Sequence, residues 1–267
     1  MTATPPLTLA IVQARMSSSR LPGKVLMPLG GLPLILFMLA RVRRARRVDE
    51  IVLATSTDAS DDELARVVQA AGYRVHRGPL DDVLARFAGA ADASPAHVLV
   101  RLTGDCPLID PAIVDRVVQQ VQSGACDYCT NGEPATYPDG LDVEAFTHAA
   151  LREANQQARL PSEREHVTPW LRAHPERVRV AAVRGAVDLS ALRWTVDHAD
   201  DLALVRALVD GLDAQHGAGH ALRADLFDLL RFVDAHPELV SPNAHTRNEG
   251  YLKSLQADAA QADAQGS

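Results

Sequence analysis

Lysine is nearly absent from this chain: of its 27 basic residues only Lys24 and Lys253 are lysine, and the rest are arginine. Cysteine is scarce as well. Three cysteines (Cys106, Cys126 and Cys129) are an odd number, which argues against a disulfide framework and for a reduced protein. No long apolar run exists. The longest clearly apolar stretch, Leu32 to Ala40, falls far short of the roughly 20 residues that cross a bilayer, so no membrane partner is expected. Met1 to Pro6 has neither a basic segment nor an apolar core of the secretory kind, and a cytoplasmic location is expected. Positive charge is in deficit: 34 acidic residues give a net charge of −7 and a pI near 5.8. That excludes a general nucleic-acid coat, which needs a basic surface, and leaves room for a local basic pocket. What is present is ordinary globular composition, 47% hydrophobic and 23% charged over 267 residues. This is enough for one large α/β core, with about one or two domains expected from length.

Strand and helix signals alternate along the first half. Thr8 to Gln13, Ile51 to Thr55, Tyr73 to His76 and Val98 to Leu102 read as short buried strands. Between them, helical spacing runs over Leu34–Arg47, about Asp61–Ala71 and Leu80–Ala91. Asp110 is placed to cap a helix that opens on Pro111. The alternation predicts a mostly parallel sheet with helices on both faces. Beyond about Asp127 the rhythm changes. Strands are expected at Asp127–Asn131, Val143–Phe146, Val178–Val183 and Leu192–Val196. Helices are expected near Thr147–Gln157, Glu163–His174, Asp200–Gln215 and Ala224–His236. Leu255 to Ser267 is low in complexity and is expected to fray.

The loop after the first strand carries the strongest chemical signal. Gln13-Ala14-Arg15-Met-Ser-Ser18-Ser-Arg20-Leu-Pro-Gly-Lys24 gathers three cations, three serines and a glycine. In open α/β sheets ligands lie at the carboxyl ends of strands, where fixed cations and backbone N–H groups can cradle polyphosphate. The pattern is neither GxxxxGK[ST] nor GxGxxG. One of only two lysines falls here, and an ammonium is a compact point charge unlike the guanidinium fork. Asp105, after the fourth strand, and Asp197, after Leu192–Val196, are carboxylates on separate strand ends, a donor pair suited to Mg2+. Asp142 and Glu144 alternate onto one face behind Asp139, an acidic turn entering a strand. Arg164 and His166 are candidates for holding an anion. Three features carry less weight. Cys126-x-x-Cys129 lacks a second ligand pair and reads as ordinary thiols. The run Arg41, Arg43, Arg44, Arg46, Arg47 reads as a solvated helix end that offsets the dipole. Trp170 and Trp194 read as core.

Ala14-Arg15-x-x-Ser18-x-Arg20-Leu-Pro-Gly-Lys24 resembles the N-terminal signature of the sugar-acid cytidylyltransferases, the CMP-KDO and CMP-acylneuraminate synthetase group. It is most similar to the branch named for spore coat polysaccharide biosynthesis protein F. The likeness continues through Arg101-Leu-Thr103-Gly-Asp105-Cys-Pro-Leu-Ile-Asp110, Tyr137-Pro-Asp-Gly-Leu-Asp-Val-Glu144, His166-Val-Thr-Pro169 and Arg193-Trp-Thr-Val-Asp197. It spans about residues 8–205. The resemblance implies a three-layer α/β/α, glycosyltransferase-A-like and Rossmann-like nucleotidyltransferase domain over residues 1–205. An insertion at about 130–190 would form a homodimer and bind the acceptor, with Asp139, Asp142 and Glu144 on sugar hydroxyls and Arg164 and His166 on an acidic sugar's carboxylate. A C-terminal helical extension over 206–254 and a disordered tail over 255–267 would follow. It further implies transfer of CMP from CTP to a sugar acid for surface polysaccharide. Ala14, Arg15, Ser18, Arg20, Lys24 and Thr103 would then hold nucleotide, with Arg15 and Lys24 on the β- and γ-phosphates, and Asp105 and Asp197 would hold Mg2+. The CMP-KDO enzymes have Gln-Gly-Asp-Glu-Pro where this chain has Thr103-Gly-Asp-Cys-Pro107, so the metal aspartate is kept and both its neighbours differ. Another NTP or a sugar phosphate, a glycosyltransferase, and a non-catalytic nucleotide-binding scaffold are the alternatives. Against the glycosyltransferase, Asp105 stands alone where an Asp-x-Asp motif would be expected. Against the scaffold, Arg15, Lys24 and both aspartates are retained.

Overall fold

Strict alternation along the apolar runs builds a sheet that is buried on both faces. The computed structural model describes residues 6–239 and 245–265. β1 (Thr8–Gln13) leads through a long loop to a small hairpin, β2 (Pro28–Leu29) with β3 (Leu32–Pro33), and then α1 (Leu34–Val42). β4 (Glu50–Ser56), α2 (Asp62–Ala70), β5 (Arg74–Gly78), α3 (Val83–Asp92), β6 (Val98–Thr103) and α4 (Pro111–Gln122) complete the alternating half. Ala10 and Val12 of β1 face one apolar cluster, shared with α1 and α4. Leu9 and Ile11 face the other, built on α3. The three layers therefore follow from the period of two. β1 pairs in parallel with β4 on one side and β6 on the other, so the chain reverses its direction of winding between β1 and β6. That switch point opens a crevice at the strands' carboxyl ends.

The second half adds β7 (Tyr128–Thr130), β8 (Glu144–Thr147), α5 (His148–Gln157), α6 (Pro161–His166), α7 (Pro169–Ala173) and β9 (Val180–Ala182). The seven-stranded sheet runs β5-β4-β1-β6-β8-β7-β9, with β8 antiparallel to β6 and to β7. α8 (Ala199–His216), α9 (Leu226–Ala235) and α10 (Glu249–Gln265) follow. No described helix is long and apolar enough to cross a membrane. Trp170 and Trp194 are core, and all three cysteines are free and buried.

Four expectations are corrected. Leu192–Val196 forms no strand; its one ladder contact is a bridge between Arg193 and Asp139. Val196 N–H donates instead to Asp105 O (2.8 Å), which fastens the segment to the loop after β6. The helix expected over Glu163–His174 is two helices, α6 and α7, because Val167 turns between them at φ 71°. The tail from Leu255 is helical through Gln265: its alanines favour helix, and Asp258 of α10 accepts from Ser162 N–H of α6 (3.3 Å).

Arg41 is the fourth. It is wholly buried, and its guanidinium donates to Leu108 O, Ile109 O, Ala221 O and Ala224 O at 2.6–3.1 Å. Burial pushes its pKa down to about 10. It therefore ties α1 to the loop before α4 and to the chain before α9, while Arg43, Arg44 and Arg46 do lie exposed.

Candidate active site

Within the loop after β1, Gly23 N–H donates to Met16 O (2.9 Å) and Leu21 N–H donates to Ser18 Oγ (3.5 Å). Buried Asp61 accepts from Met16 N–H (2.7 Å), Thr55 Oγ1 (2.9 Å) and Ser56 N–H (3.0 Å), which pins the loop to the end of β4. At the neighbouring strand end, Gly104 N–H donates to Gln13 O (2.8 Å). A Cβ on Gly104 would come within 2.8 Å of the Ala14 Cβ, so only glycine lets the two loops close on one another. Lys24 opens a short 3-10 turn, Lys24–Leu26, and points back under the loop.

Lys24 is 6% exposed, and its Nζ touches three oxygens: Asp105 Oδ2 (3.0 Å), Asp197 Oδ1 (2.9 Å) and Val196 O (2.7 Å). Burial alone lowers its pKa, but the two carboxylates outweigh this and raise it. Burial likewise works to raise Asp105 and Asp197, and Lys24 holds both below the usual carboxylate range. Arg20 adds a 2.6 Å contact to Asp197 Oδ1. Arg193, four residues earlier, reaches Asp197 Oδ2 (3.1 Å), Asp139 Oδ2 (2.6 Å) and Asp201 Oδ1 (2.9 Å). Asp201 also accepts from the N–H groups of Asp197 and His198 (2.9 Å each), so the same carboxylate starts α8 and anchors Arg193. Asp105 and Asp197 are thus paired oxygen donors gathered around a cation.

Across the crevice lies a second carboxylate group. Asp139 is pushed up to about 6 by burial and by neighbouring Asp142, against the pull of Arg247 and Arg193. Its place beside Arg193 depends on Gly140, at φ 103°, where a Cβ would lie 2.5 Å from Thr195 N. Asp142 pairs with Arg247. Glu144 is held by Arg101, by Tyr128 OH (2.6 Å) and by Thr168 Oγ1 (2.6 Å); burial works to raise it, and Arg101 and Arg172 bring it below its usual value.

One cavity of about 820 Å3 collects the pieces, a size typical of ligand pockets. Ala14, Arg15, Ser18, Arg20, Lys24, Thr103, Asp105 and Asp197 line it together with Asp139, Asp142, Glu144, Arg164 and His166. Arg15 is exposed, whereas the Thr103 hydroxyl lies 3.2 Å from Cys106 Sγ. Arg164 is committed to Asp82 (2.5 Å) and to Asn155 O (3.0 Å). His166 contacts Ser254 Oγ (2.9 Å), and burial, with Arg101 nearby, pushes its ring down to about 4, so at neutral pH it carries no charge for an anion.

Sequence reasoning missed several lining groups. Arg86 is buried against Pro79 O (2.6 Å) with its Nε unpartnered, and Arg172 likewise keeps a buried, unpartnered Nε. Arg172 pairs with Glu133 and lies 5.4 Å over the Tyr251 ring, which itself packs edge-on to His166. Tyr251, Lys253 and Ser254 of α10 form a wall, and Arg247, just before that helix, holds Asp142. An arginine in a chain so rich in them gives no signal by itself; Arg101 and Arg193 could have been found inside the quoted motifs. Elsewhere, Asp200, Asp201 and His245 bring ligand atoms within 4.8 Å of one another, but Asp201 is spent on Arg193 and the α8 start.

Comparison with known proteins bears on the family and the fold. A family model described as cytidylyltransferase matches residues 9–207. The spore coat polysaccharide biosynthesis protein SpsF of Bacillus subtilis is 36% identical over 211 residues, 75% of this chain and 85% of that protein. The 3-deoxy-manno-octulosonate cytidylyltransferase of Geobacter sulfurreducens is 38% identical over 111 residues, 41% of this chain and 43% of that protein. A solved cytidylyltransferase from Leptospira borgpetersenii superposes with a TM-score of 0.81 at 29% identity, covering 90% of this chain and 98% of that one.

Proposed function

The chain belongs to the cytidylyltransferase family, and from that premise we propose that it transfers CMP from CTP to a sugar acid, releasing pyrophosphate, for surface polysaccharide synthesis in the cytoplasm. One observation carries the reading: the cationic loop Arg15–Lys24 and the Asp105–Asp197 pair share one cavity with the hydroxyl-binding carboxylates Asp139 and Asp142. Arg15 and Arg20 bind the β- and γ-phosphates, and Ser18 lines the loop beside them. Asp105 and Asp197 hold Mg2+, a hard cation served by carboxylate oxygens, and the ammonium already seated between them supports the fit. When bound, the ion supplies charge neutralisation at the α-phosphate and makes the attacking hydroxyl more acidic. The protein's own share is positioning: the sugar hydroxyl is aimed in line at the α-phosphate, opposite the departing pyrophosphate.

Recognition of the acceptor's carboxylate falls to Arg172 in place of Arg164 and His166. Arg164 is spent on Asp82 and Asn155 and His166 is uncharged, whereas Arg172, though paired with Glu133, keeps a buried Nε without a partner beside the cavity. Asp139, Asp142 and Glu144 orient sugar hydroxyls. β9 ends the sheet with β7 as its neighbour and Val180 exposed, which suits pairing with a second copy in a homodimer.

Pyrophosphate release with Mg2+, measured for four NTPs against a panel of 2-keto sugar acids, tests the activity. Turnover with CTP alone is expected. Turnover with a different NTP would displace the assignment of the base, and tight NTP binding with no turnover on any acceptor would favour a scaffold.

A further inference from the structure

Lys24 is fully engaged by the protein itself. Its Nζ is within 3.0 Å of three oxygens, two of them on the carboxylates assigned above to the metal. Asp197 has no spare oxygen: Oδ1 is shared by Lys24 and Arg20, and Oδ2 takes Arg193. A further cation cannot join Lys24, Arg20 and Arg193 unless one of them withdraws, and departure of the more exposed Arg20 alone leaves Oδ1 still held by Lys24. Arg193 is fixed at both ends of its guanidinium by Asp139 and Asp201, and is 7% exposed at its side chain. Lys24 hangs on four rotatable bonds and can carry its charge away by changing rotamer. This also gives a reason for lysine at one position of an arginine-rich chain, since one ammonium nitrogen serves three oxygens at a single point, and a guanidinium clamped by several carboxylates, as Arg193 is, would not leave so readily.

We propose that Lys24 is the resident cation of the Asp105–Asp197 pair, and that it exchanges with a divalent metal, its ammonium passing to the incoming phosphates as the ion takes the carboxylates. Without ligands, Lys24 keeps two half-buried carboxylates from repelling each other and holds their spacing. With ligands, the metal's two charges replace the ammonium's one, and the polyphosphate supplies the balancing negative charge. Metal and nucleotide therefore load together, and the metal alone binds weakly because it must first evict Lys24. The inference rests on the metal assignment of the preceding subsection.

Mn2+ binding followed by electron paramagnetic resonance, without nucleotide, tests it in the wild type, Lys24→Met and Lys24→Gln. Both variants should bind Mn2+ at least about tenfold tighter, because the site is no longer occupied for most of the time. Lys24→Met should also melt lower without metal and regain stability with Mn2+. Lys24→Gln, which keeps a neutral donor to the carboxylates, serves if the methionine variant does not fold. Equal or weaker Mn2+ affinity in the variants overturns the exchange and leaves the metal assignment standing. A wild-type crystal grown with Mn2+ should show the ion on Asp105 and Asp197 with Nζ displaced from both; an ion seated there while Nζ keeps its contacts also overturns it. Absence of Mn2+ binding by all three proteins, even with CTP, would remove the metal assignment and the exchange with it.

Discussion

Single side chains divide into those that touch the ligand space and those that hold others in place. Asp105 belongs to the first kind. Asp105→Asn keeps the shape and removes a charge, so kcat in the pyrophosphate assay should fall about 10²- to 10³-fold with little change in melting temperature, as for loss of one fixed electrostatic group. An unchanged kcat would remove Asp105 from the chemistry. His166 can be read through pH. Its folded pKa, about 4, lies below the ordinary histidine value of 6.5. Between these values the unfolded chain binds the extra proton, so this group's contribution to stability is present above pH 6.5 and is lost as pH falls toward 4. His166→Gln should flatten the decline of melting temperature over that range, and a slope as steep as the wild type's would show that the ring titrates normally.

At the scale of elements, Arg41 shows how one residue can join three. Arg41→Met leaves four buried carbonyl oxygens without their donor and should destabilise the fold by about 3–5 kcal/mol, measured by denaturant melts. The basic run around it was legible as composition and misread as surface, because nothing local marks which arginine of a helix end turns inward. Strand and helix positions in the alternating half were legible because each face of the sheet imposes a period. The place of α10 was not. Its low-complexity sequence states a helix preference and says nothing about the neighbour it will meet, which tertiary packing decides. Tyr251 on that helix braces Arg172 and His166. A chain cut after Leu239 should keep CTP affinity within about twofold while the acceptor KM rises about tenfold, the pattern of lost acceptor binding. Equal loss of CTP affinity would instead show that α10 supports the nucleotide side.

For the whole molecule, net charge and the loop after β1 act on a polyphosphate in opposite directions. A surface at −7 repels it, and Arg15, Arg20 and Lys24 of that loop attract it over a short range. Raising salt screens both, but the attraction acts at closer quarters; kcat/KM for CTP should fall modestly, by about two- to fivefold between 0.05 and 0.5 M salt, with kcat unchanged. A rise with salt would mean that global repulsion dominates. The candidate site was legible as strand ends and short motifs, since a motif keeps neighbouring residues together. The cross-chain partners were not, because Arg172 and Arg247 acquire meaning only when folding brings distant carboxylates to them.

The cavity also has an order of manufacture. Its walls are made in sequence: the cationic loop first, then Asp105, then Asp139 to Glu144, then Asp197, and last the stretch from Asn248 to Ser254. A growing chain on the ribosome therefore owns its phosphate loop and both carboxylates of the Lys24 cage well before it owns the final wall. During that interval Lys24 can already quiet the two aspartates, while the acceptor side stands open. The internal ammonium lets the centre of the site set early, before any ligand and before the chain is finished.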